Sequence, residues 1–383
     1  MDSETSAQQW QEDILGPDYQ ALPLLVPARE HLRNGDRSAS SISDTPGTPG
    51  TEAEVESPTF YRATLVRHRP LAGKPPASTP PTAKGSTDKA RGAVLFIHGW
   101  SDYFFNTGLA EFFTSNGYEF YALDLHNHGR SLDSPALGGY VADLADYDAE
   151  ILAAHAVITG EVDSSVVHSS VGMEDPAAPA PGGPHPLILM GHSTGGLIAT
   201  LWAHHNPGRV SHLILNSPWL EIQGGAAIRR AATPLVQLAH LRPLMRMRVP
   251  ERSFYWRGIS REAYGEWDVD KKLRPPHSFP IRAGWMKAIL AAQQEVAGGL
   301  KLPIPVLVLL SSRSMLGPVW SDQMMQADVV LDVRSLALRT LSLGNSVTLE
   351  RIDGALHEVF LSRKPVRADG YARLARWLRG YVS

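Results

Sequence analysis

The stretch Leu187-Ile188-Leu189-Met190-Gly191-His192-Ser193-Thr194-Gly195-Gly196 constrains this chain more than any other. Four apolar, strand-type residues stop at Gly-X-Ser-X-Gly, and Leu197, Ile198, Leu201 and Trp202 follow at the spacing of one helical face. Strand, tight turn and helix in that order make the motif a nucleophile elbow rather than a glycine-rich turn without chemistry. The turn must hold Ser193 at a strained backbone position so that its hydroxyl projects into a cleft. Gly191 and Gly195 stand where a Cβ would collide as strand and helix close on each other.

Around the elbow the chain alternates. Strands are expected at 60–70, 93–97, 118–125, 210–216, 305–310 and 347–352, and helices at 109–116, 140–159 and in the closing stretch that contains 374–381. Such alternation gives an α/β protein with a mostly parallel, doubly wound sheet. Residues 1–59 read as a partly disordered N-terminal extension: 1 to about 33 hold a few apolar positions (Trp10, Ile14, Leu22, Leu24, Leu25, Val26) that could pack on the core, and a linker at about 34–58 is rich in Ser, Thr, Pro and Gly. Low-complexity inserts are expected near 71–91 and 161–186. The core is then 60–217 and 303–383. Between them, 218–302 loses the alternation and carries Phe254, Tyr255, Trp256, Tyr264 and Trp267, as a cap over the carboxyl ends of the strands would.

With 383 residues, 43% of them hydrophobic, the chain can bury a large core. A net charge of −3 offers no basic field for nucleic acid, and the absence of cysteine removes disulfides, thiolate zinc sites and cysteine nucleophiles together. Met1-Asp2-Ser3-Glu4 lacks a signal-peptide pattern and no apolar run reaches membrane-spanning length, so a cytoplasmic protein is expected.

A serine nucleophile needs a base, and the base an orienting acid. His357, in Ile352-Asp353-Gly354-Ala355-Leu356-His357-Glu358, follows the last strand and precedes the closing helix, where a catalytic histidine belongs. His192 begins from the neighbouring elbow position and reads as packing; His204 and His205, late on the elbow helix, read as solvent-facing. No carboxylate directly follows the strand at 305–310, where Ser311-Ser312-Arg313-Ser314 stand. Asp328 is the first choice for the acid, in a loop displaced by a short insertion. Asp332 is the second, and serves equally as a helix cap. Backbone donors for an oxyanion are expected at Thr194 and at Trp100, in the loop after the strand at 93–97. Asp124, His126 and His128 present metal-ligand types at alternating spacing, but no second cluster completes a site, so neither metal nor other cofactor is expected.

These motifs resemble those of the α/β-hydrolase superfamily, within it the monoacylglycerol lipase, lysophospholipase and serine-aminopeptidase-like group. His98-Gly99-Trp100-Ser101-Asp102 resembles the group's oxyanion loop, and Asp124 to Ser131 its Asp-X-Arg-Gly-His-Gly-X-Ser, with His126 and Asn127 replacing Arg and Gly. Gly191 to Gly195 matches its elbow, Gly354 to Glu358 its Gly-X-X-His-Glu, and Asp328 the acid of its Ala-Asp-X-Leu pattern. The group's usual His-Gly-X-X-Asp after the seventh strand is absent. The resemblance implies an α/β-hydrolase fold with a helical cap inserted after the sixth strand. It further implies attack by Ser193 on an ester of a small molecule or lipid, such as a monoacylglycerol or lysophospholipid. On a cap, Arg229, Arg230, Arg242, Arg246 and Arg248 among Leu, Met and Ala would suit an acyl chain with an anionic head group and transient contact with a membrane surface, and a cap helix packing on the core explains the pattern equally. A serine aminopeptidase, another reaction of this fold, or a catalytically silent binding module are the alternatives.

Overall fold

The computed structural model describes residues 9–29, 60–71, 90–161, 186–221, 239, 241–248 and 253–382. The linker expected at 34–58, most of the inserts at 71–91 and 161–186, and Arg229 and Arg230 lie outside the described residues.

The strands are β1 (Gln11–Asp13), β2 (Gly16–Pro27), β3 (Phe60–His68), β4 (Ala93–Ile97), β5 (Glu119–Asp124), β6 (Leu187–His192), β7 (His212–Asn216), β8 (Val306–Ser311) and β9 (Val347–Ile352). They form one sheet in the order β1-β2-β3-β5-β4-β6-β7-β8-β9. From β5 to β9 every neighbouring pair is parallel; β1, β2 and β3 add on antiparallel. Residues 11–27, set apart above in an N-terminal extension, are thereby corrected to part of the sheet. Leu22 pairs with Leu65 and Leu24 with Ala63, and Leu22, Leu24 and Val26 are buried, so apolar area drives the hairpin onto β3.

Alternate side chains of the central strands enter different cores, as the two-residue strand period requires. Leu95, Leu189, Leu213 and Val308 face one cluster; Phe96, Met190, Ile214 and Leu309 face the other. Helices cover both faces. α1 (Thr107–Ser115) and α7 (Lys364–Tyr381) pack on the second cluster; α2 (Asp148–Thr159), α3 (Thr194–His205), α5 (Ala283–Ala297) and α6 (Val333–Thr340) on the first. The helix expected over 140–159 begins only at Asp148. Before it, residues 144–147 form a 3₁₀ turn whose cap, Asp143, accepts the N–H of Ala145 at 3.0 Å.

The described residues between β7 and β8 fall into two parts. α5 buries Ala283, Trp285, Ile289 and Val296 in the main core, so this last part of the supposed cap is a helix of the α/β layer. The described residues 253–282, with the short α4 (Phe254–Ile259), lie over the strand ends. Phe279 N–H donates to Ser101 Oγ at 2.9 Å, Asp270 N–H to Tyr103 Oη at 3.0 Å, and Trp267 Nε1 to the Leu361 carbonyl at 3.0 Å. The tethers run to the loop after β4 and to the turn beyond His357. Among the described residues no helix is long and apolar enough to cross a membrane.

Candidate active site

Ser193 sits between β6 and α3 with φ 52° and ψ −118°, a left-handed strained conformation for a non-glycine residue. The close packing around it requires the glycines. A Cβ on Gly195 would be driven into the carbonyl oxygens of Ile97 and His98, and one on Gly191 into the backbone of Gly195 and Gly196. The Ser193 N–H is held by the Asn216 carbonyl at 3.1 Å.

His357, after β9, is brought to this turn from 164 positions away: its Nε2 lies 3.0 Å from Ser193 Oγ. Its Nδ1 lies 2.9 Å from Asp328 Oδ2. Asp328 is fully buried, and its other oxygen accepts the N–H groups of Val330 and Leu331 at 2.7 and 2.8 Å, which hold the carboxylate in one orientation. The chain reaches this place by an excursion after β8. Asp328 N–H returns to the Arg313 carbonyl and Met315 N–H donates to the Asp328 carbonyl, so Asp328 lies beside the strand end that itself carries no acid. Asp332 is directed elsewhere: it caps α6, accepting from Arg334 N–H at 3.0 Å and Ser335 Oγ at 2.8 Å.

The loop after β4 is set by His98. Its Nε2 accepts the Leu125 N–H at 3.1 Å, which leaves Nδ1 to donate to the Gly99 carbonyl at 2.7 Å. Gly99 packs against the elbow, where an added Cβ would meet Ser193 Cβ at 3.2 Å. Trp100 is anchored through Nε1 to the Gly139 carbonyl at 2.8 Å. Among the described residues no acceptor takes the backbone N–H of Trp100 or Thr194.

The block 124–131 is built as a strut. Asp124 accepts from Phe104 N–H at 2.9 Å and from Arg130 Nη1 at 2.7 Å; Arg130 also grips Asp13 of β1 through Nε and Nη2 at 2.6 and 2.7 Å. His126 pairs with Glu150 and stacks on Tyr61 at 4.1 Å, while His128 Nδ1 faces the His126 carbonyl at 3.0 Å. The three groups weighed as metal ligands are thus directed to three different partners.

Buried groups surround the histidine: His192, read above as packing, and others whose part the sequence did not show. Tyr255 of α4 packs edge-on against His357 at 5.2 Å and its hydroxyl reaches His192 Nε2 at 3.3 Å, while His192 Nδ1 donates to the Asn216 carbonyl. Arg274 pairs with Asp102 at 3.0 Å and lies over the Tyr255 ring at 4.7 Å. Burial holds the His192 imidazole well below its usual range, despite the pull of the Asn216 carbonyl, and keeps Tyr255 well above. Burial likewise pushes the Asp102 carboxyl up against the opposing effect of Arg274, and pushes Glu358 up to about 8. Of these residues Glu358 and His192 carried a local sign, their places beside His357 and Ser193; Tyr255, Asp102 and Arg274 converge from distant segments. His204 and His205 lie on the far end of α3, where His205 pairs with Glu295 at 2.5 Å in solvent.

A doubly wound sheet with an elbow serine in reach of an imidazole and a carboxylate defines an α/β-hydrolase. The sequence matches the family described as Hydrolase_4, Serine aminopeptidase, S33, over residues 88–363, and the chain belongs to that family. It is 24% identical to a monoacylglycerol lipase of Mycolicibacterium smegmatis over 277 residues, 70% of this chain and 82% of that one. It is also 29% identical to the 1-acylglycerol-3-phosphate O-acyltransferase ABHD5 of Rattus norvegicus over 155 residues, 33% of this chain; the match spans only 43% of the rat protein, and the same holds for that of Mus musculus. Among solved structures, a Paleococcus ferrophilus monoacylglycerol lipase aligns with TM-score 0.51 and 18% identity over 76% of this chain and 95% of that one. A monoglyceride lipase of Saccharomyces cerevisiae aligns with TM-score 0.52 and 13% identity over 100% and 98%. Both share the fold.

Proposed function

We propose that this protein hydrolyses carboxylic esters through an acyl-enzyme on Ser193, with His357 as base and Asp328 as its orienting acid. The observation that carries the proposal is the unbroken series Ser193 Oγ, His357 Nε2, His357 Nδ1, Asp328 Oδ2, at 3.0 and 2.9 Å. Ser193 Oγ attacks the ester carbonyl as His357 Nε2 takes its proton, and Asp328 stabilises the imidazolium. The N–H groups of Trp100 and Thr194 receive the oxyanion, each contributing roughly two powers of ten in rate. His357 returns the proton to the departing alcohol, then activates a water that releases the acid.

The relatives named for monoacylglycerol and acylglycerol-phosphate chemistry support a glycerolipid carrying one acyl chain as the substrate class. A fluorophosphonate probe tests the nucleophile and monoacylglycerol turnover tests the substrate. Labelling is expected to vanish in Ser193→Ala, to slow by about three or four powers of ten in Asp328→Asn, and to persist in Asp332→Asn. A folded wild type that takes no label sinks the proposal. The family description favours one second reading, cleavage at a free N-terminus, and turnover of aminoacyl arylamides but not of acylglycerols would establish it instead.

A further inference from the structure

Asn216 ends β7 and has no exposed surface. Its hydrogen bonds go neither to the Ser193 hydroxyl nor to the His357 ring, yet they hold the chain beside both. Its carbonyl accepts the Ser193 N–H at 3.1 Å and His192 Nδ1 at 3.0 Å. Its side-chain Oδ1 accepts the Val359 N–H at 3.2 Å, and its Nδ2 donates to Glu358 Oε1. One end of a single residue therefore carries the elbow, and the other end carries the two residues that follow His357.

We propose that Asn216 is the positioning residue that sets the spacing between the Ser193 hydroxyl and the His357 imidazole. The inference rests on the hydrolase reading above. Asn216 and Val359 are 143 positions apart, and among the described residues of β7 this amide is the side chain that bonds the histidine loop. The fork is specific. Oδ1 must accept a backbone N–H while the other branch meets a carboxyl group, which asparagine does and an aliphatic side chain of the same size does not. An aliphatic replacement leaves the Val359 N–H without its acceptor and takes one donor from the Glu358 carboxyl in a buried place, so the loop shifts to find new ones. A shift of about 1 Å in a reacting pair costs about a hundredfold in rate.

The test compares Asn216→Leu with Asn216→Asp, measuring fluorophosphonate labelling rate, kcat and KM on a soluble ester, and melting temperature. The work is done below the Glu358 value of about 8, where that carboxyl carries its proton and has it to donate to an aspartate. Asn216→Leu is expected to lose about tenfold to a hundredfold in labelling rate and kcat with KM near that of wild type. Asn216→Asp, which keeps an acceptor for Val359 and a partner for Glu358, is expected to retain most of the rate. A folded Asn216→Leu protein with wild-type kcat overturns the inference. So does an Asn216→Asp protein that melts like wild type but is as slow as the leucine variant. Absence of labelling in wild type overturns the hydrolase reading itself and is a different result.

Discussion

Glu358 shows how one buried group beside the candidate site ties stability to pH. Its carboxyl is enclosed by protein and rises from 4.5 to about 8, chiefly because burial disfavours the charged form. The folded chain therefore holds this proton more tightly than the unfolded chain does. Between about pH 4.5 and 8 the native state binds more protons, so stability falls as pH rises through that window, at up to about 1.4 kcal/mol per pH unit. Glu358→Gln keeps an oxygen for Asn216 Nδ2 and removes the titration. Its urea midpoint is expected to vary less than that of wild type across the window and to exceed it above pH 8. A wild-type slope retained in the variant contradicts this account. Asp148, raised to about 6 by burial, contributes a slope of the same sign over the lower part of the window and is unchanged by the substitution.

At the scale of elements, the Asp13–Arg130–Asp124 triad joins β1, the turn after β5 and the end of β5 itself. Arg130 is 7% exposed and the two carboxylates 2% and 0%, so each charge depends on the others for its solvation. Arg130→Met leaves two carboxylates facing each other in a dry place. A loss of about 3–5 kcal/mol in unfolding free energy is expected, with amide exchange rising first in residues 11–27. A loss below about 1 kcal/mol would mean that the hairpin is held by apolar packing alone. The sequence shows Gly129-Arg130-Ser131 as the end of a motif and not as an ion pair, because Asp13 and Asp124 reach the guanidinium through tertiary contact.

For the whole molecule, the sheet is extended at one side by an antiparallel hairpin that precedes the α/β alternation. Leu22, Leu24 and Val26 are almost wholly buried, and burying each stabilises the fold by about 1.5–3 kcal/mol. Together they contribute on the order of 5 kcal/mol, comparable to the whole net stability of a typical domain. A chain beginning at residue 28 also presents the long β3 as an open edge. Such a truncation is expected to aggregate, or to melt well below the full chain, as gel filtration and calorimetry would read. A monomeric truncation with an unchanged melting temperature would show the hairpin to be an accessory.

The parts legible in the residues are those set by local physics. The elbow declares itself because strand, strained serine and flanking glycines are contiguous, and the buried parallel strands because their apolar runs need no partner to be recognised. His357 is legible from its order in the chain, after the last strand and before the last helix. The sequence ranks Asp328 before Asp332 by resemblance, and folding separates them: the two stand four positions apart, and the return of the chain beside β8 turns one toward the imidazole and leaves the other to cap α6. The same holds for β2, whose prolines Pro17, Pro23 and Pro27 obscure a strand that exists by pairing with β3 across the linker. It holds too for Asn216, which in the sequence merely ends a strand. Its bonds to Glu358 and Val359 span 142 and 143 positions, and no pattern within a segment records a hydrogen bond made at that distance.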